Sequence, residues 1–209
     1  MNCVKLICVV LFSLFATLAI GQDFRGGLKG GFNLSQIDGD KLGGYNKGGL
    51  IFGGFINREL NPRLQWQMEM IYIAKGSKRG INPDKGQFEF RRIAINYVEV
   101  PILLQFRVEK MQTNFEMGLS FSTMIRSMQE DQFGETDLIG DLKRFEFGYL
   151  LGFNYQFGNQ LSGNARFAYS LTSIGVDNKV LYTIWNRHGG AYHNVLEFTL
   201  NYYLQGEGK

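Results

Sequence analysis

Apolar and polar residues alternate along most of the chain beyond residue 22, and an alternation with a period of two is typical of β-strands. The clearest run covers residues 145–157, where every odd position is apolar and the even positions are mostly glycine or polar. An α-helix would scatter these two sets around its circumference, whereas a strand places them on opposite faces. The run therefore predicts a strand with one apolar face and one polar face.

Eight segments repeat this pattern, and the connections between them alternate in length. The connections after the second, fourth and sixth segments are short turns, whereas the others are long. An even number of strands with short turns at one end and long loops at the other is typical of outer-membrane barrels. The sequence thus predicts an all-β fold, an eight-stranded antiparallel up-and-down transmembrane β-barrel. The predicted strands lie near residues 24–36, 45–58, 63–77, 91–108, 112–127, 143–158, 160–175 and 191–204.

Alternation alone fits two arrangements of the strand faces. A soluble sandwich buries its apolar face, whereas a membrane barrel turns that face to lipid and its polar face to the lumen. Aromatic residues make up 14% of the chain, and many stand near the ends of the segments, as the girdles of membrane barrels do. We therefore expect the protein to lie in an outer membrane, in contact with its lipid.

Charged residues of both signs stand on the polar face in the middle of many segments. Eight strands enclose a lumen only just wide enough for side chains, and a buried unpaired charge is costly, so we expect these charges to pair. The lumen would then be filled by ion pairs with a structural role, and a narrow pore is the less favoured alternative. The predicted lumen charges are Lys29, Glu69, Glu99, Arg107, Glu116, Arg126, Glu146, Arg166 and Glu197.

Residues 1–21 have the pattern of a secretory signal peptide. Lys5 supplies a positive charge, an apolar run follows it, and the segment ends on small residues at Ala19 and Gly21. The apolar run is too short for a comfortable membrane span. We therefore expect this segment to be removed on export, which leaves a single barrel domain over residues 22–209.

Composition excludes several other classes of protein. Cys3 and Cys8 both lie in the N-terminal segment, so the exported domain has no disulfide framework, no thiolate metal site and no cysteine nucleophile. Charged residues make up 20% of the chain and the net charge is +3, without a dense block of lysine or arginine, so no nucleic-acid partner is expected. A mean hydropathy of −0.14 excludes a helical membrane bundle.

Two long connections carry concentrated charge. The basic residues around the third connection are expected to contact anionic lipid headgroups. The acidic residues of the fifth connection fit either divalent cations that bridge lipopolysaccharide or the ordinary solubility of an exposed loop. The basic cluster comprises Lys75, Lys78, Arg79, Lys85, Arg91 and Arg92, and the acidic loop comprises Glu130, Asp131, Glu135, Asp137 and Asp141.

No motif for a cofactor or a metal is complete. Asp38, Gly39 and Asp40 begin like a calcium-binding loop, but Leu42 and Gly49 stand where that pattern needs further ligands. No glycine-rich turn leads from a strand into a helix to hold a phosphate. We therefore expect neither a cofactor nor a metal.

The chain contains two histidines, His188 and His193, and both lie in or beside the last long connection. Ser170, Ser173 and Asp177 fall near the same end of the predicted barrel, so a Ser–His–Asp arrangement is conceivable. The Gly-x-Ser-x-Gly motif of many hydrolases is not present. We therefore expect no enzymatic activity, and keep a rim-located lipid hydrolase or acyltransferase as the alternative.

The stretch YVEVPILL at residues 97–104, together with GFN at residues 31–33, resembles the PorT-like outer-membrane barrel family of Bacteroidetes. A proline inside a strand is unusual, because it removes a donor from the hydrogen-bond ladder. The resemblance implies an eight-stranded barrel in the outer membrane, with Tyr97, Glu99 and Pro101 as the family motif. It implies little about activity, but the family's namesake takes part in protein secretion and gliding. An envelope or secretion-machinery protein is therefore an expected partner.

Overall fold

The structure, a computed structural model, describes residues 24–40, 42–85, 88–108, 111–138, 142–175 and 190–204. The predicted signal peptide, residues 1–21, lies outside the described residues. Within them no helix is long and apolar enough to cross a membrane. The strands are β1 (Arg25–Asp38), β2 (Lys47–Asn61), β3 (Leu64–Arg79), β4 (Arg91–Val108), β5 (Thr113–Asp131), β6 (Gly134–Asp137), β7 (Phe145–Gln156), β8 (Leu161–Ser170) and β9 (Tyr192–Tyr203).

Eight of these strands form a closed antiparallel barrel. Each strand pairs with the next along the chain, in the order β1, β2, β3, β4, β5, β7, β8 and β9. Strand β9 pairs with β1, with Phe32 opposite Phe198, and this pairing closes the barrel. The short strand β6 pairs only with the end of β5, as a hairpin that extends beyond the barrel wall. The predicted eight-stranded antiparallel barrel is thus confirmed.

The two ends of the barrel differ. At one end, which we call the turn end, a two-residue turn at 62–63 joins β2 to β3. The opposite end, which we call the loop end, carries the β5–β6 hairpin and the long connections that follow β1, β3 and β8. This difference is the loop asymmetry that the spacing of the segments predicted.

The outer face of the barrel is apolar and the inner face is polar. On β4, Ile102 points outward and is 57% exposed, whereas Glu99, three residues earlier, points inward and is 0% exposed. The same alternation turns phenylalanine, leucine and methionine outward on the other strands, as a barrel in lipid requires. Exposed outer-face residues include Leu28, Phe32, Phe52, Met70, Leu104, Phe115, Leu119, Phe147, Phe153 and Leu200.

Two irregularities interrupt the regular pairing of β4. The β3–β4 ladder lacks the pairs between Met68–Ile102 and Ile71–Glu99, at the point where Pro101 has no N–H to donate. A β-bulge occurs between β4 and β5, where neighbouring residues of β4 face Met124 and Arg126 and leave an extra residue on β5. A bulge of one residue reverses which positions point inward beyond it.

An apolar cluster occupies part of the lumen toward its loop end. A cluster of buried side chains fills the barrel there, below the long connections, and closes the interior on that side. Seven of its members occupy inward positions of their strands, so alternation places them in the lumen, and Ile174 comes from the connection after β8. The cluster comprises Ile37, Ile51, Ile71, Ile73, Ile95, Tyr97, Met124 and Ile174.

Candidate functional site

The middle of the lumen holds a network of buried charges. Strand alternation brings inward-facing carboxylates from β3, β4, β5, β7 and β9 to the same interior as cations from β1, β3 and β8. A bare charge in this interior would be strongly unfavourable, so the geometry of each pair determines whether the barrel is stable. The inward-facing charged residues are Lys29, Glu69, Lys75, Glu99, Glu116, Glu146, Arg166 and Glu197.

Glu69 is the centre of the part of the network nearer the turn end. The ammonium of Lys29 donates to both of its carboxylate oxygens, at 2.8 and 2.9 Å. The Arg166 guanidinium donates to the same two oxygens at 3.0 and 3.2 Å, and its Nε donates to Glu116 at 2.7 Å. Bidentate and charge-assisted bonds of this kind are the strong ones, so this group cross-links four strands inside the barrel.

Polar side chains complete this part of the network. Gln105 Nε2 donates to Glu116 Oε2 at 3.0 Å, and Asn164 Nδ2 donates to Glu116 Oε1 at 2.8 Å. Gln67 Nε2 donates to Glu69 at 2.7 Å. Glycine leaves room for these long side chains, because a Cβ added at Gly152 would lie 3.1 Å from Glu116 Oε1. Both Glu69 and Glu116 are therefore surrounded by charged and amide donors at this level.

A second group lies nearer the loop end and is centred on Lys75. Its ammonium donates to Glu99 at 2.5 Å and to Glu146 at 3.2 Å. His193 Nδ1 lies 2.7 Å from the other oxygen of Glu146. The ring of Tyr97 stands edge-on to the His193 ring, with the centroids 5.6 Å apart, and its face lies 5.3 Å from the Lys75 ammonium. The family-motif residues Tyr97 and Glu99 thus both belong to this group.

Seven of the nine predicted lumen charges lie inside the barrel, and two do not. Arg107 lies at the rim of the turn end, where its guanidinium pairs with the exposed Glu59 at 3.1 Å. Arg126 points outward, because the bulge at residue 125 reverses the alternation on β5 beyond that point. The sequence-based prediction continued the alternation without a bulge, and it therefore placed Arg126 in the lumen, which was wrong.

The basic cluster that the sequence placed at the third connection is divided by the structure. Lys75 is buried in the lumen, because alternation on β3 continues inward beyond Ile73. Two other members lie outside the lumen: Lys78 stands over the ring of Phe90, and Arg92 pairs with Glu130 at 3.2 Å. The Lys75 position was missed because the basic run around it has the appearance of a solvated loop.

The candidate catalytic residues do not form a triad among the described residues. His193 is 1% exposed, and its ring pairs with Glu146 inside the lumen rather than at the rim. The hydroxyl of Ser170 accepts the backbone N–H of His193 at 2.7 Å, and the hydroxyl of Ser173 accepts the backbone N–H of Ala191. His188 and Asp177 lie outside the described residues.

No metal centre is formed by the part of the chain that the structure describes. Within it, no group of three or more histidine, aspartate or glutamate side chains is placed to hold a metal ion. Glu69, Glu99 and Glu116 instead pair with lysine or arginine. Among the described residues, the arrangement is that of an interior filled by charged and polar side chains.

Comparison with known proteins places this geometry in context. A family model described as an outer membrane protein beta-barrel domain matches residues 19–175. Neisserial surface protein A has a similar fold, with a TM-score of 0.52 and 14% sequence identity over 86% of this chain and 96% of that chain. Ail, the attachment invasion locus protein of Yersinia pestis, gives 0.49 and 10% identity, with 86% and 98% of the chains covered. No curated protein sequence matches the chain.

Proposed function

Because the chain belongs to the family of outer membrane protein beta-barrel domains and lies in the outer membrane, we propose that it is a sealed, non-enzymatic barrel. Its long loops contact an envelope protein or lipopolysaccharide at the cell surface. In outer-membrane barrels the short turns face the periplasm and the long loops face outward, so the loop end is the surface-exposed end. We place the chain among the PorT-like barrels on its Tyr97, Glu99 and Pro101 motif, which lies on β4.

The observation that carries this proposal is the ion pair between Arg166 and Glu69. Strands β8 and β3 lie four positions apart in a ring of eight, so this pair spans the full width of the lumen. Above it the apolar cluster of Ile71, Ile73 and Ile95 fills the loop end of the interior. The described side chains thus fill the lumen at two levels, which supports a sealed barrel whose outer surfaces perform the function.

Large apolar side chains at the loop end support contact with a protein. Phe133, at the tip of the β5–β6 hairpin, is 89% exposed, and Ile81 and Phe88, in the β3–β4 connection, are also exposed. These residues lie beyond the barrel wall, so contact with lipid tails does not account for them. Exposed apolar groups rimmed by polar residues commonly mark interaction sites. An envelope or secretion-machinery protein is the partner that this surface fits best.

Conductance in planar bilayers tests whether the barrel is sealed. The purified protein is expected to insert without steady single-channel currents. A variant with Glu69, Glu116 and Arg166 all replaced by alanine removes the cross-lumen pairs and serves as the comparison. Steady conductance of the unaltered protein would overturn the sealed barrel.

Site-specific cross-linking in intact cells tests the loop contact. A photoreactive amino acid at position 133 is expected to capture one defined envelope protein in near-equal amount. The same amino acid at position 63, in the turn at the opposite end, is the matched control and should not capture that protein. Equal capture from both positions, or capture of abundant neighbours only, contradicts a specific loop partner.

A lipid hydrolase is the second candidate, because Glu146 orients the ring of His193 as a carboxylate does in such enzymes. The low exposure of His193 weighs against it, since a substrate must reach the ring. Replacing both His188 and His193 by alanine and analysing the membrane lipids decides the matter. An unchanged lipid profile in a folded double variant removes the hydrolase.

A further inference from the structure

A cleft on the outer wall, near the loop end, is lined by cations and is not accounted for by the sealed lumen. It lies between β2 and β3 and has a volume of about 330 Å³. Three cationic side chains line it: Lys47 at the start of β2, Arg92 on β4 and Arg126 on β5. The rest of its lining is uncharged, and comprises Gly48, Gly49, Leu50, Tyr72, Ala74, Ala94, Asn96 and Met128.

The cleft exists because two neighbouring strands separate. The ladder between β2 and β3 ends at the pair Ile51–Ile73, and the residues beyond it do not pair with each other. Strand β1 supplies the missing bonds from behind: Asn33 Nδ2 donates to the carbonyl of Ala74 at 3.1 Å, and the N–H of Gly76 donates to Ser35 Oγ at 3.0 Å. These bonds hold the separation in place, so the cleft is preformed.

Two of the three cations of the cleft, Lys47 and Arg126, have no acidic partner among the described residues. Lys47 is 4% exposed, and within the described part of the chain its ammonium donates to the carbonyl of Gly48 at 3.1 Å. Arg92 is close enough to act on that ammonium electrostatically, and it pairs with the exposed Glu130. Within the described residues Arg126 has no carboxylate partner. A buried lysine beside other cations is costly on its own, so the cleft is suited to an anion.

The position of the cleft determines which anion reaches it. The apolar outer face ends at this level toward the loop end: Leu50 gives way to Gly48, Val98 gives way to Asn96, and Ile125 gives way to Arg126. Below the cleft the rings of Phe52 and Tyr72 stack with centroids 4.8 Å apart. The cations therefore stand at the boundary where lipid headgroups meet lipid tails.

We propose that this cleft binds the phosphate group of an outer-leaflet lipid, with Lys47, Arg92 and Arg126 on the phosphate and the acyl chains along Leu50, Phe52 and Tyr72. Guanidinium groups match phosphate oxygens in pairs, and a lysine ammonium adds a point charge. This inference deepens the proposed contact with lipopolysaccharide by assigning it to the barrel wall rather than to the loop tips. It rests on the outward orientation of the loop end.

Native mass spectrometry in detergent tests the proposal. It measures how tightly the purified full-length barrel binds diphosphorylated lipid A. The Lys47→Gln/Arg126→Gln double variant is expected to bind about tenfold more weakly than the unaltered protein, because two charge-assisted contacts are lost. Arg126→Gln alone removes an exposed side chain without disturbing the fold, and should weaken binding by about threefold or more. Binding of either variant at the unaltered affinity overturns the proposal.

Two matched controls remove the same charge elsewhere. Lys78→Gln lies at the loop end outside the cleft, and Arg63→Gln lies in the turn at the opposite end. Both should bind within about twofold of the unaltered protein, since general surface charge contributes little at a distance. Equal losses in the controls and in the cleft variants would assign the effect to net charge and overturn a specific site.

Two further arms identify the source of the phosphate. Dephosphorylated lipid A should bind weakly, and with equal affinity, to the unaltered protein and to the double variant. Inorganic phosphate at millimolar concentration should not displace the lipid, and displacement would reassign the cleft to a soluble phosphate. The conductance and position-133 cross-linking experiments do not depend on the cleft, so a failure here leaves the sealed barrel and its protein partner standing. If the conductance or cross-linking experiment fails instead, the lipid-binding result still decides whether the cleft binds lipid.

Discussion

Glu69 and Arg166 stand on strands that face each other across the barrel, and two hydrogen bonds of 3.0 and 3.2 Å join them through the centre of the lumen. Lys29 holds the other side of Glu69, and Glu116 holds the Nε of Arg166. Each of these groups is buried, so each depends on its partners rather than on water. The lumen is thus a single bonded unit at this level rather than a set of separate pairs.

Glu69→Gln should strongly destabilise the barrel. The substitution leaves Lys29 and Arg166 without their shared carboxylate, and breaking a buried pair costs about 3 kcal/mol or more. Chemical unfolding in lipid vesicles, followed by tryptophan fluorescence, measures the free energy of unfolding.

Glu197→Gln is the matched comparison and should change the free energy of unfolding by less than about 1 kcal/mol. Glu197 lies 3.5 Å from Arg166, and its oxygens accept no hydrogen bond from the described residues. The described lumen also holds five glutamates against Lys29, Lys75 and Arg166, so removing one negative charge relieves an excess. Equal losses from the two substitutions would contradict a network centred on Glu69.

His193→Ala should destabilise the barrel by about 2–4 kcal/mol, because it opens a cavity and leaves the Glu146 carboxylate without one partner. His193→Gln keeps a donor near Glu146 and should recover part of the loss. Unfolding measurements on both variants test this structural role. An Ala variant as stable as the unaltered protein would show that the His193–Glu146 contact does not support the fold.

Gly49→Ala should destabilise the barrel by about 1–3 kcal/mol, since a new side chain there overpacks the wall. The added Cβ would clash with the carbonyl of Ala74 and the side chain of Asn33, which hold the cleft between β2 and β3. Gly48→Ala is the control, because a Cβ at that position meets nothing within 4 Å. Thermal unfolding of the pair, compared by circular dichroism, separates crowding from the general effect of replacing glycine.

Asp40 should give the connection after β1 a pH-dependent stability. Burial raises the pKa of its carboxyl above the ordinary value of 3.8, although the Leu42 amide, which donates to this carboxylate at 2.8 Å, acts to lower it. The folded state binds this proton more tightly than the unfolded state does. The protonated carboxyl therefore adds to the free energy of unfolding in full below pH 3.8, and this addition is lost as the pH rises through the raised pKa.

Carbon NMR of the Asp40 carboxyl measures the midpoint directly. As the pH rises from acid toward neutral, the thermal midpoint of the unaltered protein should fall relative to that of the Asp40→Asn variant. A carboxyl that titrates at or below its ordinary value would contradict the effect of burial.

Much of the fold could be predicted because strand alternation is a local property. The fourth predicted strand, 91–108, has the bounds of β4 as observed, and the short and long connections identify the two ends. The inward positions of Glu69, Glu116 and Arg166 follow from the same period of two. Nothing beyond neighbouring residues was needed for these features.

The features that could not be predicted depend on geometry between strands. The bulge at residue 125 arises from the pairing of β4 with β5, and it carries Arg126 from the expected lumen to the outer cleft. The apolar cluster was missed because Ile71 and Ile73 occupy inward positions without being polar, so hydrophobicity alone does not show their direction. Lys75 was missed for the opposite reason, since a charged residue near a loop has the appearance of a solvated one.

The bond between Glu69 and Arg166 joins residues 97 positions apart, and Arg166 belongs to the next-to-last strand of the barrel. A chain that has assembled only β1 to β7 holds Glu69 and Glu116 without the guanidinium that joins them. Its interior then carries surplus negative charge, which resists entry into the membrane. The final hairpin supplies the missing cation at the moment when β9 meets β1. The network therefore couples insertion into the bilayer to complete assembly, because only a barrel with all its strands pairs these buried carboxylates with Arg166.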